Sequence, residues 1–389
     1  MKLAVVVPRY GARGGAENAL RMTAEQLVAR LGWDVELHVT TATSSATWAG
    51  ETEAGTTTIN GVTVHHHAVT SGRTAEWAEL NELVKATPRS IDPAISNQFF
   101  IEQGPVSHDL SDAVAATDAD LIVFAPYLFW TTINVAPSVL DRALVVPAAH
   151  DEPFVRLQQV GRIVSRCRGL LYGCAAERSL LESLHPVSHV PNTVLGWGID
   201  AEPLTRDTSA ASRLGLDDRP YVLCVGRIEH AKGTVVLSRF WRAFVEAHSP
   251  EHRLVLLGER NADIVENDDI RIIEGADDAT KWSLLRGADV MVTPSAMESF
   301  SLVVFEAWAA GTPVLVNKHC GATFDHASQS RGGLWYGDYP EFAAAMSRLL
   351  SDRDLRDHLA SNGTRFGSEQ YSWDSVVARF AGLVSRVLG

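Results

Sequence analysis

Long hydrophobic runs, closely spaced cysteines and an excess of positive charge are all missing from this sequence of 389 residues. No apolar run approaches the roughly 18 residues that a membrane-spanning helix needs, so an integral membrane protein is not expected. The four cysteines show no C-x-x-C spacing, which favours thiols in a reducing compartment over disulfides or a zinc site. The net charge of −13 argues against nucleic-acid binding, because that function needs a basic surface.

The start of the chain also lacks the pattern of a secretory signal. Its apolar part, Leu3–Val7, is short and leads directly into Arg9 and a glycine-rich turn, which predicts the first strand of a domain. A cytoplasmic location is therefore expected. One stretch of the first half is basic, and its arginines are Arg156, Arg162, Arg166 and Arg168. The preferred interpretation is a solvated helix face, and weak association with the inner face of a membrane is kept as an alternative.

What is present is an alternation of apolar runs and amphipathic segments. The length exceeds one ordinary α/β core and predicts two domains. Strand, glycine turn and helix follow one another from Leu3 to Leu31, and a second alternating unit begins at Pro220. The first turn lacks the G-x-G-x-x-G pattern, so a nicotinamide cofactor is not expected. These patterns predict an α/β protein in which strand, turn and helix repeat in two halves.

The first domain offers polar and aromatic residues just after apolar strands. His150, Asp151 and Glu152 follow the strand that ends at Ala149. They are either candidates for an active site, because ligands collect at such strand ends in open parallel sheets, or the start of an ordinary loop. Tyr127 and Trp130 follow the strand 120–125, where they form either a wall for an acceptor or part of the core.

A stretch of three histidines, His65–His67, ends a predicted hairpin with Asn60–Gly61 at its turn, after an exposed loop over residues 43–60. Adjacent side chains of a strand point to opposite faces, so only His65 and His67 share one. No metal site is expected from them.

The second domain carries two loops with charged residues. Arg227 and Lys232 bracket a turn between a strand and a helix, which favours a pyrophosphate clamp built from two cations and the free amides of a helix start. Farther along, Glu298 lies in a turn before a helix that contains Glu306, with serines beside Phe300 as candidate N-caps. The chain is predicted to end with helices at about 339–352 and 353–363 and from Trp373 to Leu388.

Three motifs in register resemble the retaining nucleotide-sugar glycosyltransferases of the GT-B fold, specifically the large family four, the glycosyl transferases group 1. They are Gly14–Glu17, Gly226–Gly233 and the pair Glu298 and Glu306. Pro191–Asn192 and the terminal helix match as well. The resemblance implies two Rossmann-like domains facing across a cleft. An acceptor-binding domain would span 1–193 and a donor-binding domain 194–370, and the helix 371–389 would return to the first domain.

The resemblance also implies roles for residues. Arg227 and Lys232 would hold the donor diphosphate, Glu298 the hydroxyls of the donor sugar, Glu306 the ribose, and His150 would lie near the sugar. The remaining donor-binding residues would contribute backbone groups; they are Gly14, Gly15, Gly226, Phe300, Ser301 and Leu302. The acceptor candidates are Tyr10, Arg13, Tyr127, Trp130 and Asp151.

The implied activity is transfer of a hexosyl unit, with retention, from a UDP- or GDP-linked sugar to a hydroxyl of a glycan, glycolipid or small-molecule acceptor. No metal and no cofactor are expected, since the nucleotide sugar is a substrate. Two alternatives stay open: a sugar-nucleotide-binding protein without transferase activity, and a related epimerase or phosphorylase. The base, the sugar, the acceptor and the oligomeric state are not predicted.

Overall fold

The computed structural model describes residues 1–11, 15–199, 209–216 and 218–389, and the chain divides into two compact units. Unit 1 consists of Met1–Gly198 together with Trp373–Gly389, and unit 2 is Ile199–Ser372. Unit 2 is therefore an insertion into unit 1 along the chain. The sequence prediction drew the boundaries after residues 193 and 370.

Unit 1 is built on an eight-stranded sheet. Its strands are β1 (Lys2–Arg9), β2 (Asp34–Thr40), β3 (Gly55–Ile59), β4 (Val62–His67), β5 (Leu121–Phe124), β6 (Ala143–Val145), β7 (Gly169–Tyr172) and β8 (Asn192–Val194). Their order across the sheet is β3-β4-β2-β1-β5-β6-β7-β8, and all neighbours are parallel except β3 and β4. Strands β5, β6 and β7 are buried at every position, which is why their sequences are continuous apolar runs.

The hairpin predicted at Asn60–Gly61 is confirmed by the antiparallel pairing of β3 with β4. Both turn residues have positive φ, 50° and 81°, as a two-residue hairpin turn requires. Strand β3 lies inside the stretch that the sequence predicted as a loop. It is an exposed edge strand of glycine and threonines, so no alternation of buried and exposed residues marks it in the sequence.

The helices of unit 1 alternate with the strands along the chain, as the crossover connections of parallel strands require. They are α1 (Gly15–Leu31), α2 (Trp77–Ala86), α3 (Pro93–Gln103), α4 (His108–Ala116), α5 (Trp130–Ile133), α6 (Gln158–Val164) and α7 (Ala175–Leu184), with short 3-10 turns at Ala136–Ser138 and Pro153–Arg156. The buried core around β5 and β6 contains Phe99, Phe100 and Phe124. The four cysteines of the chain are buried, and no disulfide occurs among the residues described.

Unit 2 is built on a six-stranded parallel sheet. Its strands are β9 (Tyr221–Val225), β10 (Arg253–Leu257), β11 (Ile270–Ile273), β12 (Val290–Thr293), β13 (Val314–Asn317) and β14 (Gly333–Tyr336). The order is β11-β10-β9-β12-β13-β14. The chain therefore leaves β9 towards one edge and returns to β12 on its other side. In open parallel sheets, such a reversal of strand order marks the place where ligands bind.

The helices of unit 2 are α8 (Ser209–Arg213), α9 (Thr234–His248), α10 (Asp278–Gly287), α11 (Leu302–Ala309), α12 (Gly321–Ser330), α13 (Tyr339–Ser351) and α14 (Arg353–Gln370). Helix α14 runs past residue 363, where the sequence predicted its end. Gly363 does not break the helix but lets it approach Trp308, since an added Cβ would lie 2.2 Å from that ring.

The terminal helix α15 (Trp373–Leu388) agrees with the prediction and belongs to unit 1. It packs on β7, β8 and α1 through an apolar face composed of Trp373, Val376, Val377, Phe380, Leu383, Val384 and Val387. Arg379 donates to the carbonyl oxygen of Leu195 at 2.7 Å. The last helix thus completes the half of the molecule that the first residues began.

Candidate active site

The loop between β9 and α9 carries the two predicted cations. Gly226 leaves β9 with φ 139°, and Gly233, with φ 74°, occupies the N-cap position of α9. Lys232 therefore lies immediately before a helix start, where backbone N–H groups lack helical partners and the helix dipole favours an anion. Arg227 is 57% exposed and its guanidinium lies 3.2 Å from the carboxylate of Glu229.

The loop between β12 and α11 carries Glu298. Phe300 is buried at its centre and stacks on Phe305 of α11 with ring centroids 4.7 Å apart. Ser301 occupies the N-cap position of α11 but makes no side-chain cap bond, so its predicted capping role is wrong. Its φ of 73° is the reason, because a capping serine normally has an extended backbone. The start of this helix therefore receives no bond from the Ser301 side chain, and its dipole favours an anion there.

The two loops touch where the strand order reverses. A Cβ added to Gly233 would lie 2.6 Å from the carbonyl oxygen of Pro294, so only glycine permits this approach. Next to that contact, Lys232 Nζ donates to Glu298 Oε1 at 2.7 Å, and both side chains are between one fifth and one third exposed. The structure thus brings together the lysine and the glutamate that the sequence placed on different loops.

Glu306 has a partner that sequence reasoning missed. Lys281 of α10 donates from Nζ to Glu306 Oε1 at 2.8 Å, and its ammonium also lies 3.2 Å from Asp278. Burial alone would lower the pKa of Lys281, but the charge and hydrogen bond of Glu306 outweigh it and raise the pKa. Glu306 is therefore held in one position and about one fifth exposed. No sequence signal marks Lys281, because the sequence pattern places it on the polar face of its helix like any other charged residue.

A buried histidine packs against the aromatic residues of the Glu298 loop and of helix α11. His326 of α12 lies edge-on to both Phe300 and Phe305, with ring centroids 4.8 and 4.7 Å away. Burial lowers the pKa of His326 to about 3, against a hydrogen bond to the backbone of Phe300. The imidazole is thus neutral at physiological pH and serves packing, which keeps the turn rigid.

In unit 1, His150 lies in the loop that follows β6. Its Nδ1 is buried and lies 3.4 Å from Glu152 Oε1, and the Tyr127 hydroxyl donates to that same carboxylate. Asp151 is 69% exposed and pairs with Arg156. The strand end therefore presents one half-exposed imidazole and one exposed carboxylate.

Glu177 is a second residue that sequence reasoning missed. It is 2% exposed at the start of α7, and its carboxylate accepts from the backbone N–H of Ala149 at 2.6 Å and of Gly173 at 2.5 Å. Burial raises its pKa to about 7, against these backbone donors, which favour the ionised form. One buried carboxylate thus joins the ends of β6 and β7 and supports the backbone just before His150. The signal was a glutamate in the first turn of a helix, which usually indicates only a favourable dipole contact.

The acceptor candidates of unit 1 differ in how exposed they are. Tyr127 and Trp130 are 2% and 6% exposed and belong to the core, so of the two alternatives the structure places both in the core and neither forms an acceptor wall. Tyr10 is half-buried and meets the ring of His66 edge-on at 5.8 Å. Gly15 begins α1 with open space around it, whereas Arg13 and Gly14 lie outside the described residues.

The basic stretch of unit 1 is partly used inside the fold. Arg156 donates to the carbonyl oxygen of Glu152 at 2.7 Å, Arg162 to Gln158 Oε1 at 2.8 Å, and Arg168 to the carbonyl oxygen of Val387. These bonds favour an ordinary solvated surface. Among the described residues, no helix combines the length and the apolar character that crossing a membrane requires.

Comparisons with known proteins agree with this geometry. Residues 206–366 match the family profile described as glycosyl transferases group 1. A D-inositol 3-phosphate glycosyltransferase of Stackebrandtia nassauensis is 31% identical over 249 residues, which cover 58% of this chain and 56% of that protein. The chain spans about half the length of the curated relatives it matches.

Two solved structures share the whole fold. Sucrose-phosphate synthase from Thermosynechococcus elongatus superposes with a TM-score of 0.72 over 100% of this chain and 99% of that one, at 18% identity. HepE of Anabaena, in complex with UDP and glucose, gives a TM-score of 0.72 over 99% of this chain and 100% of that one, at 15% identity. Residues 206–366 thus match the glycosyl transferases group 1 family, and the chain shares the GT-B fold of these solved structures, as the sequence motifs indicated.

Proposed function

We propose that the protein is a retaining glycosyltransferase that moves a hexosyl unit from a UDP- or GDP-linked sugar to a hydroxyl of a glycan, glycolipid or small-molecule acceptor. The observation that carries the proposal is the ion pair between Lys232 and Glu298 at 2.7 Å. It lies where α9 and α11 both begin, at the reversal of strand order in unit 2.

The diphosphate of the donor binds to the cations of the first loop. Lys232 and the N-terminal amides of α9 and α11 offer positive charge and N–H donors to one anion. Arg227 is exposed enough to leave Glu229 and join them. As the bond between sugar and phosphate breaks, negative charge grows on the leaving phosphate, and preorganised cations stabilise that charge. Two protein cations supply this stabilisation without a catalytic metal ion.

The two carboxylates bind hydroxyl groups. Glu298 accepts hydrogen bonds from the donor sugar, and Glu306 accepts from the ribose while Lys281 holds it in place. A carboxylate is acceptor-only when ionised, so each one selects for hydroxyl donors. The glutamates are therefore anchors, and neither acts as general acid or base.

In transfer with retention, one bond to the anomeric carbon breaks and one bond to it forms. The bond to the phosphate oxygen breaks, the bond to the acceptor oxygen forms on the same face, and the acceptor proton passes to the leaving diphosphate. No protein nucleophile is assigned. In unit 1, His150 contacts the donor sugar and Asp151 is an exposed candidate for an acceptor contact. Both roles rest on the family resemblance.

The relatives suggest the first substrates to test. HepE was solved with UDP and glucose. One relative is named a D-inositol 3-phosphate glycosyltransferase, and one structural neighbour is named sucrose-phosphate synthase. A panel of UDP- and GDP-hexoses therefore comes first. Thermal unfolding with each free nucleotide identifies the base, because a ligand that binds the folded state raises the unfolding temperature.

Replacement of one cation tests the activity. The purified protein should slowly release free sugar from the matching donor, and Lys232→Ala should reduce that rate by about a hundredfold, the typical effect of removing one preorganised donor. Lys85→Ala is the matched control, since this exposed lysine of unit 1 also donates to a glutamate at 2.8 Å and should keep the full rate.

Each alternative has its own outcome in that assay. An unchanged rate in Lys232→Ala would overturn the assignment of the cation. Nucleotide binding without release or transfer of sugar would indicate a binding protein. A new nucleotide sugar in the chromatogram would indicate an epimerase, and release of sugar phosphate on addition of inorganic phosphate would indicate a phosphorylase.

A further inference from the structure

One face of the first sheet carries a cluster of histidines and a glutamate that the proposed function does not use. Strands β2 and β4 are parallel neighbours, with His38 opposite His65 and Thr40 opposite His67. Partners across such a pair share a face, as do residues two apart along one strand. Glu36, His38, His65 and His67 therefore lie on the same face of unit 1.

Three of these side chains direct ligand-type atoms at one point. His38 Nε2 lies 3.4 Å from Glu36 Oε1, and His65 Nε2 lies 3.9 Å from Glu36 Oε2. The three ligand atoms all lie within 4.8 Å of one another. Ligand atoms around a tetrahedral zinc, with bonds of about 2.0–2.1 Å, are roughly 3.3 Å apart. Zinc binding therefore requires these ligand atoms to move closer together than they are in this structure.

The other polar atoms of the cluster hold the rings in this orientation. His38 Nδ1 is hydrogen-bonded to His67 Nε2 at 3.1 Å, and His65 Nδ1 to the Thr56 hydroxyl at 3.0 Å. The Thr117 hydroxyl donates to Glu36 Oε1 at 2.5 Å. Metal-binding histidines usually have such a partner on the second ring nitrogen, which fixes the tautomer and the ring plane.

One atom of the cluster is buried without a hydrogen-bond partner. His38 has a side chain only 5% exposed, and its Nε2 is buried and makes no hydrogen bond among the described atoms, although the Glu36 carboxylate lies 3.4 Å away. Such groups are rare in folded proteins because each costs free energy of desolvation. A cation bound between this nitrogen and Glu36 would give the nitrogen a partner and would neutralise the charge of the carboxylate.

The Glu36 carboxylate of the cluster also lies beside a cation. Lys2 Nζ lies 3.5 Å from Glu36 Oε2, and it also pairs with Asp118, a partner it keeps when a metal takes the glutamate.

We propose that Glu36, His38 and His65 bind one divalent transition-metal cation, with Zn²⁺ as the best match. Two imidazoles and a carboxylate suit Zn²⁺ better than Mg²⁺ or Ca²⁺, which prefer oxygen ligands. The fourth position lies on the side of His65, whose side chain is 29% exposed, and takes water. The ion joins β2 to β4 and so stabilises the edge of the sheet that ends in the exposed strand β3.

The sequence prediction of no metal site considered only one strand. His65 and His67 share a face but cannot form a site alone, and the missing ligands come from β2, nearly thirty residues earlier in the chain. The site shares no residue with the two loops that carry Lys232 and Glu298, which belong to unit 2. Its test therefore does not depend on the proposed activity.

Zinc titration of the full-length protein tests the proposal. After treatment with a chelator and its removal, Zn²⁺ is titrated against a chromophoric competitor. We expect one tight site per chain, and a higher thermal unfolding temperature with Zn²⁺ because the ion binds the folded state. Co²⁺ in its place should give the intense visible absorption of a four-coordinate site.

Variants on the two faces of one strand provide the control. His65→Ala removes a ligand and Glu36→Gln removes the carboxylate, and each should weaken Zn²⁺ binding by at least about tenfold, the lower range for damage to a metal site. His66→Ala is the matched control, because His66 is the next residue of β4 and points to the opposite face, so it should bind Zn²⁺ as the unmodified protein does.

Three results would overturn the proposal. They are the absence of a stoichiometric site, equal affinity in His65→Ala and the unmodified protein, and equal loss in His66→Ala, which would indicate surface histidines acting without a defined site. Circular dichroism of each variant shows whether it folds. The half-exposed position of His65 makes that variant the decisive one if replacement of the more buried Glu36 prevents folding.

Discussion

At the scale of single residues, Glu177 shows how one side chain can support a loop it does not belong to. Its carboxylate accepts from the backbone of Ala149 and Gly173, at the ends of two neighbouring strands. The loop that continues to His150 therefore depends on a residue on a following helix. Loss of this carboxylate removes the backbone partners and leaves buried N–H groups unpaired, which is costly.

The raised pKa of Glu177 makes stability depend on pH. Its pKa is about 7 in the folded protein against 4.5 in the unfolded chain, so the folded state binds the proton more tightly. The stability from this group is fully present below about pH 4.5 and is lost as the pH rises towards about 7, by at most roughly 3 kcal/mol. In Glu177→Gln this pH dependence should disappear.

Thermal unfolding across that pH window measures the effect. The advantage of the unmodified protein over Glu177→Gln should shrink as the pH rises. Glu182→Gln is the control, because Glu182 is an exposed residue of the same helix, with 43% of its side chain exposed. A constant difference between the unmodified protein and Glu177→Gln at every pH would contradict the prediction.

Some site residues could be predicted from the sequence and others could not. Lys232, Glu298 and Glu306 follow strand and helix patterns that a sequence displays directly. Lys281 and Glu177 act through partners that are distant in the chain, and their own surroundings in the sequence resemble ordinary helix surfaces. A pattern of apolar and polar residues predicts which face is buried, but not which polar residue is buried with a partner.

At the scale of elements, the contact of Gly233 with Pro294 sets the spacing of the two loops that carry Lys232 and Glu298. Gly233→Ala should lower stability by about 1–2 kcal/mol, because its positive φ disfavours alanine. The added Cβ should also push the loops apart, since the Pro294 oxygen would be only 2.6 Å away. We therefore expect this variant to lose the rise in unfolding temperature that the nucleotide causes.

Gly275 separates strain from displacement in this experiment. It has a φ of 68°, close to that of Gly233, but an added Cβ meets no atom within 4 Å. Gly275→Ala should lose similar stability and keep the full effect of the nucleotide. If both variants respond equally to the nucleotide, the contact with Pro294 does not position the site.

Most elements were predictable where their burial is regular. The apolar runs of β5, β9 and β12 and the amphipathic helix α15 were recognised because burial there is continuous or has a helical period. Strand β3 and the last turns of α14 were not. In β3 both faces are exposed, and in α14 a glycine serves helix packing although glycine usually marks a helix end.

At the scale of the whole molecule, unit 2 has the features of an independent domain. It is one continuous segment, and its ends meet, since the N–H of Ile199 donates to the carbonyl oxygen of Tyr371 at 3.0 Å. Side chains of its six-stranded sheet and of its helices pack into a separate hydrophobic core. Domains with these properties often fold alone.

A fragment of residues 199–372 should therefore unfold cooperatively on heating and bind the free nucleotide. Circular dichroism measures the unfolding, and the rise in unfolding temperature with nucleotide measures the binding. The same fragment with Lys232→Ala should keep the first property and lose most of the second. A fragment that shows no cooperative transition would contradict the prediction.

The fold class could be predicted for the whole molecule, whereas the substrates could not. Three motifs in register indicated a GT-B protein, and the structure has two sheets of mostly parallel strands, as that fold does. The acceptor was predicted to contact side chains of unit 1, and two of the aromatic candidates there, Tyr127 and Trp130, belong to the core. An aromatic residue after a strand has the same sequence pattern in either role.

The place of α15 in unit 1 has a consequence for synthesis on the ribosome. A chain emerges from its N-terminus, and domains generally fold as they become complete. Unit 2 is complete once Ser372 has emerged, but unit 1 needs the seven buried residues of α15, which are made after unit 2. The half that begins first is therefore finished second, and until then the apolar surface that awaits Phe380 and its neighbours stays uncovered in the nascent protein.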